Sequence, residues 1–214
     1  MNLVFPPLYA IIDPTLLTIS ELALAESLAA SGVELIQYRD KTASSRRYFE
    51  ISRQLSNVLG PRGARLIVND RPDVVLLAGA GGVHVGQEDL SVEDARTVCG
   101  AGRWVGVSTH TLEQLAAADR TSADYVAFGP IFHTATKKNP DPVVGTELLR
   151  QARAITKKPL VAIGGITLER AAEVYRAGAD SLAVIRDLIC APDPAVRARE
   201  YLDVAASTST RGAS

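Results

Sequence analysis

RLIVNDRPDVVLLAGAGGVHVGQEDL, residues 65–90, sets the pattern that the rest of the chain repeats. It contains two short apolar runs, 66–68 and 83–85, and carboxylates follow each run within a few residues. They are Asp70 after the first run, and Glu88 and Asp89 after the second. If the runs are neighbouring parallel strands, their ends meet at one edge of a sheet, and these carboxylates lie side by side there.

Carboxylates so close together need a counter-charge, because two of them about 4 Å apart repel by about 4 kcal/mol at an effective dielectric constant of about 20. Oxygen ligands without a His-x-His or Cys-x-x-Cys pattern favour Mg²⁺, which completes its coordination shell with water and substrate phosphate. The alternative is that Asp70 caps a helix beginning near Pro72 and that Asp89 is a solvated turn residue. These residues alone leave both interpretations open.

Short β-branched runs alternate with longer amphipathic runs along the whole chain. The predicted strands are 8–12, 34–38, 65–69, 82–85, 104–108, 125–128, 160–163 and 181–184. The predicted helices are 21–30, 46–59, 72–78, 92–98, 112–119, 146–156, 168–177 and 195–204.

Eight strand–helix pairs fit a single-domain (β/α)8 TIM barrel, whose lower size limit is about 200 residues. The competing fold is a doubly wound open sheet, but no Gly-x-Gly-x-x-Gly follows the first strand. We expect the barrel to span residues 1–206 and the polar tail 207–214 to be disordered.

Composition limits the function. A formal net charge of -1 offers no basic surface for nucleic acid or anionic membranes. No apolar run approaches the about 20 residues of a membrane span, and the opening MNLVFPPLYAII lacks the features of a signal peptide. Cys99 and Cys190 have no metal or redox spacing. We therefore expect a cytoplasmic protein with reduced cysteines and no nucleic-acid or membrane partner.

Polar side chains follow several predicted strands, where barrel enzymes carry their reactive groups. Gln37, Arg39 and Lys41 would share one face of an extended segment, which predicts an anion site. The alternative is that Arg39 and Lys41 only form ion pairs with Asp40 and other acids of the rim. Asn69 and Ser108, at the ends of later strands, add an amide and a hydroxyl. His84 is either a hydrogen-bonded histidine of the core or a functional residue.

The later connections offer further candidates. The segment 129–145 is longer than the about 12–15 residues at which an unstructured loop becomes unusual, which predicts a lid. It carries hydroxyls at Thr134 and Thr136 and charge at Lys137 and Lys138. The ends of the seventh and eighth strands are where these barrels bind phosphate. The residues there are Gly164, Gly165, Ile185 and Arg186.

Together these motifs resemble the thiamine-phosphate synthase family, barrel enzymes that join the pyrimidine and thiazole halves of thiamine. The resemblance runs from residue 8 to about residue 188 and rests on the order of the motifs. They are QYRDK (37–41), NDR (69–71), GVHVGQEDL (82–90), GVS (106–108), FGPIFHTATKK (128–138), AIGGI (162–166) and GADSLAVI (178–185).

The resemblance implies two small-molecule substrates, a Mg²⁺ cofactor and a homo-oligomer. The pyrimidine diphosphate would be held by Gln37, Arg39, Lys41, Asn69, Ser108 and Lys137. Among these, the catalytic residues would be Arg39, Lys41, Lys137 and Ser108. Asp70 and Asp89 would hold Mg²⁺, and the thiazole phosphate or its carboxylate would contact Thr134, Thr136, Gly165, Ile185 and Arg186. Arg186 stands where relatives often carry a small hydroxyl residue, and His133 also departs from the family pattern.

Three other functions compete with this one. A thiazole tautomerase or regulatory relative would share the barrel, but it has less need of Arg39, Asn69, Asp70 and Asp89 together. A phosphosugar-type isomerase would use an acid–base pair such as Glu88 with His84. A non-catalytic binding protein would hold a phosphate ligand without releasing diphosphate.

Overall fold

The computed structural model describes residues 5–134 and 142–209, and it contains a closed barrel of eight parallel strands in sequence order. The strands are β1 (Leu8–Ile12), β2 (Leu35–Tyr38), β3 (Arg65–Asn69), β4 (Gly82–Val85), β5 (Trp104–Thr109), β6 (Tyr125–Phe128), β7 (Leu160–Ile163) and β8 (Ser181–Val184). The barrel closes where β8 pairs with β1. The predicted (β/α)8 barrel is confirmed, and all eight strands lie within one residue of their predicted bounds.

Helices surround the barrel. They are α1 (Glu21–Ala30), α2 (Ser45–Leu59), α3 (Pro72–Ala78), α4 (Val92–Cys99), α5 (Leu112–Asp119), α6 (Gly145–Ile155), α7 (Leu168–Arg176), α8 (Arg186–Ile189) and α9 (Pro194–Ser209). The short helix α8 was not predicted, nor were two 3₁₀ helices at Pro14–Leu16 and Gly60–Arg62. No helix of the described ranges is long and apolar enough to cross a membrane.

The last helix extends three residues into the predicted disordered tail. Its final turn is held by side-chain hydroxyls, because Ser207 Oγ and Thr208 Oγ1 donate to the carbonyl of Val204 at 2.9 and 2.8 Å. The boundary predicted at residue 206 is therefore wrong for residues 207–209. Residues 210–214 lie outside the described ranges.

Side-chain alternation along the strands separates two apolar layers. In β1, for example, Leu8, Ala10 and Ile12 pack against the helices, while Tyr9 and Ile11 point into the barrel. The amino-terminal end of the interior is filled by aromatic rings, with Phe5 stacked on Trp104 at a centroid distance of 5.3 Å. Because this end is closed, the polar interior opens at the carboxyl ends of the strands.

Candidate active site

A cavity of about 1120 Å³ lies at the carboxyl ends of the strands. It brings together all the predicted site residues that the structure describes. They are Gln37, Arg39, Lys41, Asn69, Asp70, Asp89, Ser108, Thr134, Gly165, Ile185 and Arg186. The two remaining predictions, Thr136 and Lys137, lie outside the described residues.

Arg39 is held by a carboxylate that the sequence analysis missed. Its Nη1 donates to Oδ2 of Asp13 at 2.7 Å, and Asp13 is 5% exposed. Asp13 Oδ1 also caps the 3₁₀ helix after β1 by accepting from the backbone N of Thr15 at 3.1 Å. Asp13 directly follows β1, and the other candidates were chosen because they follow strands. The same rule could therefore have predicted Asp13.

Lys41 forms its ion pair with a predicted metal ligand, since its Nζ lies 3.1 Å from Oδ2 of Asp70. Arg39 and Lys41 therefore do pair with acids of the rim, Asp13 and Asp70, as the alternative expected, while the predicted anion site stays a prediction. The alternative is wrong for Asp40, whose Oδ1 accepts from the backbone N of Thr42 at 2.8 Å and of Ala43 at 2.9 Å.

Asp70 does not cap the helix that follows it. Helix α3 has Arg71 at its N-cap position and no side-chain capping bond, so the capping alternative is wrong. Asp70 instead adopts a left-handed backbone conformation with φ 60°, uncommon for a residue with a side chain. Its backbone N donates to the carbonyl of His84 at 2.8 Å, which ties the end of β3 to β4.

Asp89 lies beside Asp70, as the neighbouring strands predicted. Partial burial raises the pKa of Asp89, and the adjacent Asp70 carboxylate raises it further, while the backbone N of Gly86 and the charge of Lys41 lower it. Oδ2 of Asp89 accepts from the N of Gly86 at 2.7 Å, which closes the turn after β4. Asp89 is thus both an exposed turn residue and one of two neighbouring carboxylates.

A chain of buried hydrogen bonds crosses the barrel interior below the charged rim. Gln37 Nε2 lies 2.7 Å from the Tyr9 hydroxyl, which lies 2.9 Å from the Tyr125 hydroxyl. His84 continues the chain, with Nδ1 3.1 Å from the Tyr125 hydroxyl and Nε2 2.8 Å from Oγ of Ser108. Neither tyrosine was predicted, because an aromatic residue in a buried strand is ordinarily an apolar core residue.

His84 is buried and hydrogen-bonded through both ring nitrogens, and it also lines the cavity. It is 7% exposed, and burial lowers the pKa of its imidazole to about 4. Tyr125 and Ser108 are the hydrogen-bond partners of its two ring nitrogens, and Glu88 is not among its partners in the described ranges.

The far side of the cavity is built from backbone. Gly164 and Gly165 have φ of 99° and 63°, and a Cβ on Gly165 would overlap the carbonyl of His133. The backbone N of Phe132 donates to the carbonyl of Gly164 at 3.0 Å, so the beginning of the predicted lid segment packs against the turn after β7. The guanidinium of Arg170 lies over the Phe132 ring at 4.4 Å and lines the same cavity, a residue that sequence analysis missed.

Fold and cavity together define a (β/α)8-barrel enzyme with cations, paired carboxylates and a glycine turn at the carboxyl ends of its strands. Residues 8–188 match the family model described as thiamine monophosphate synthase. The chain belongs to the thiamine monophosphate synthase family.

Relatives agree with this membership. The thiamine-phosphate synthase of Koribacter versatilis is 50% identical over 210 residues, covering 95% of this chain and 97% of its own length. The structure of thiamine phosphate pyrophosphorylase from Pyrococcus furiosus superposes with a TM-score of 0.86 at 32% identity, covering 94% of this chain and 96% of that chain. A 3-hexulose-6-phosphate synthase structure, 20% identical with a TM-score of 0.66 and covering 92% of this chain and 99% of that chain, shares the fold alone.

Proposed function

We propose that the protein condenses 4-amino-2-methyl-5-hydroxymethylpyrimidine diphosphate with (carboxy)hydroxyethylthiazole phosphate, giving thiamine monophosphate and diphosphate. Family membership supports this transferase activity. The observation that carries it is a single cavity with Arg39, Lys41 and the carboxylate pair on one side and the Gly164–Gly165 turn on the other. Two anionic substrates can therefore bind in one space, which the joining of two molecules requires.

The reaction breaks the bond between the pyrimidine methylene carbon and a diphosphate oxygen, and that oxygen keeps the electron pair. The thiazole nitrogen then gives its lone pair to the same carbon. No protein nucleophile is needed. Arg39, Lys41 and Lys137 would neutralise the departing diphosphate, and Asn69 and Ser108 would donate hydrogen bonds to it. Apolar side chains at the cavity wall, including Ile11 and Val161, would exclude water from the electron-poor carbon.

Asp70 and Asp89 are the residues that would hold Mg²⁺. Their oxygen donors suit this ion, and burial together with the adjacent Asp70 carboxylate raises the pKa of Asp89. Within residues 5–134 and 142–209 no third His, Cys, Asp or Glu completes a metal-binding group. Substrate phosphate and water would supply the other ligands, and the bound ion would neutralise charge on the diphosphate.

The competing functions have less support. Within the described ranges, every residue predicted to bind the diphosphate or Mg²⁺ lines one cavity. A tautomerase or regulatory relative has less need of this set. The acid–base pair suggested for an isomerase was Glu88 with His84, but His84 is hydrogen-bonded to Tyr125 and Ser108 instead. A cytoplasmic location and a homo-oligomer stay predictions.

The test follows diphosphate production after mixing both heterocyclic phosphates, with Mg²⁺ and with EDTA. We expect release of diphosphate that requires both substrates and the metal. Release without the thiazole would indicate hydrolysis, and binding of both compounds without release would indicate the non-catalytic alternative. Either result overturns the proposal.

A further inference from the structure

Donors and acceptors can be assigned in order along the hydrogen-bond chain below the rim, starting from Gln37. Nε2 of Gln37 can only donate, so the Tyr9 hydroxyl accepts from it. If each hydroxyl of this hydrogen-bond chain accepts one hydrogen bond and donates one, Tyr9 donates its hydrogen to the Tyr125 hydroxyl at 2.9 Å. Tyr125, having accepted, donates its own hydrogen to the next group, Nδ1 of His84 at 3.1 Å.

This direction determines which ring nitrogen of His84 carries the proton. A buried neutral imidazole has one N–H, and Nδ1 is occupied as an acceptor. With the hydrogen-bond chain in this direction, the proton lies on Nε2, which donates to Oγ of Ser108 at 2.8 Å. In the described ranges no other protein atom bonds to this hydroxyl, and Ser108 lines the cavity.

We propose that His84 is a positioning residue: by donating from Nε2 to Ser108, it leaves the serine hydrogen free to point into the cavity and donate to an anionic oxygen. The inference rests on the proposed function in so far as that oxygen belongs to the diphosphate group. Because phosphate oxygens can only accept hydrogen bonds, a serine that spent its hydrogen on His84 would offer them only lone pairs.

The same direction determines which group Gln37, at the other end of the hydrogen-bond chain, presents to the cavity. With Nε2 of Gln37 bonded to Tyr9, its Oε1 has no bonding partner among residues 5–134 and 142–209, and Gln37 lines the cavity. Gln37 thus offers an acceptor where Ser108 offers a donor. If every hydrogen bond in this series were reversed, Gln37 would offer a donor to the cavity and Ser108 only an acceptor. An aminopyrimidine diphosphate, with N–H donors on its ring and acceptors on its phosphates, matches this direction.

Gly106 makes room for this arrangement. A Cβ at Gly106, on β5, would overlap the ring and hydroxyl of Tyr125 on the neighbouring strand β6. Glycine at this position therefore allows the Tyr125 ring to lie flat enough across the interior to reach both Tyr9 and His84. Gly106 and Ser108 of the GVS motif therefore both contribute to this hydrogen-bond arrangement, the glycine by making room and the serine by bonding to His84.

The first test reads the protonated nitrogen directly by ¹⁵N NMR of the histidine side chains at neutral pH. The protein has three histidines, and the set of signals that is lost in His84→Gln is assigned to His84. We expect a protonated Nε2 and an unprotonated Nδ1. A protonated Nδ1, alone or together with Nε2, overturns the proposal.

The second test is a double-mutant cycle that measures the affinity for inorganic diphosphate in the presence of Mg²⁺. His84→Leu removes the donor, and we expect about tenfold weaker binding. His84→Gln keeps an N–H and should recover part of the loss. In a Ser108→Ala background, His84→Leu should change the affinity by less than about twofold, because the residue it acts through is gone. An equal effect in both backgrounds overturns the proposal.

Tyr175→Phe is the control, since it also removes a hydroxyl and its hydrogen bond, which is partly buried, measures 2.8 Å to the carbonyl of Pro7 and lies outside the His84 hydrogen-bond chain. It should leave diphosphate affinity unchanged. Neither test requires coupling of the two heterocycles. Failure of the condensation assay would therefore overturn the proposed function, while the protonated nitrogen and the cycle would still decide the role of His84.

Discussion

The Nζ of Lys41 lies 3.1 Å from Oδ2 of Asp70. The side chain proposed to bind the diphosphate therefore neutralises one of the two carboxylates proposed to bind Mg²⁺. The pair is accessible, with the Lys41 side chain 61% exposed. Under the proposed function, Lys41 and Mg²⁺ would compete for the same oxygen until the diphosphate binds and gives the lysine a second anionic partner.

Substituting Lys41 should therefore change two affinities in opposite directions. In Lys41→Met we expect Mg²⁺ alone to bind up to about fivefold more tightly, the range for an exposed ion pair. Diphosphate should bind about tenfold more weakly. Isothermal titration calorimetry measures both, and Lys157→Met, an exposed lysine outside the cavity, is the control. Changes of the same sign would contradict this account.

Removing one metal ligand should abolish most turnover while the fold survives. We expect Asp70→Asn to lose about 10²-fold or more in diphosphate release. Asparagine is chosen because Asp70 has φ 60°, which asparagine tolerates better than alanine. Glu88→Gln removes an exposed carboxylate at the same cavity and should stay within a few-fold of the parent. Turnover of Asp70→Asn near that of the parent would refute the assigned role.

Asp13 should act through Arg39. In Asp13→Asn the amide oxygen can still cap the 3₁₀ helix, but the ion pair at 2.7 Å loses its negative partner. We expect the KM for the pyrimidine diphosphate to rise about tenfold with little change in kcat, because the guanidinium is less firmly held. Asp73→Asn breaks an ion pair of similar length, 2.6 Å to Arg71, outside the cavity and should leave KM unchanged.

The buried imidazole predicts a pH-dependent stability. The pKa of His84 falls from 6.5 to about 4 on folding, so between these values the unfolded chain binds a proton that the folded chain does not. Stability therefore decreases as the pH falls, by about 2 kcal/mol from pH 7 to pH 5. Urea unfolding at both pH values should show this loss reduced by about that amount in His84→Gln. His133→Gln, an exposed histidine, should retain the full loss.

The alternation of short apolar and longer amphipathic runs was enough to predict the barrel, because most strand residues are buried while the longer runs carry both apolar and polar residues. Position at strand ends likewise predicted residues of the cavity from Gln37 to Arg186. The partners of those residues were harder to predict. The Asp13–Arg39 ion pair joins residues 26 positions apart, and the Tyr9–Tyr125 hydrogen bond spans 116. Such pairings depend on strand register and side-chain direction, which local sequence does not specify.

The cavity of about 1120 Å³ has one further consequence for inhibitor design. It exceeds the about 300–1,000 Å³ usual for a single small-molecule site. A compound that links an aminopyrimidine near Gln37 to an acidic group near Gly165 would fill both halves, and its second contact would form intramolecularly at a high effective concentration. Mimics of either substrate alone would leave half of this volume to water.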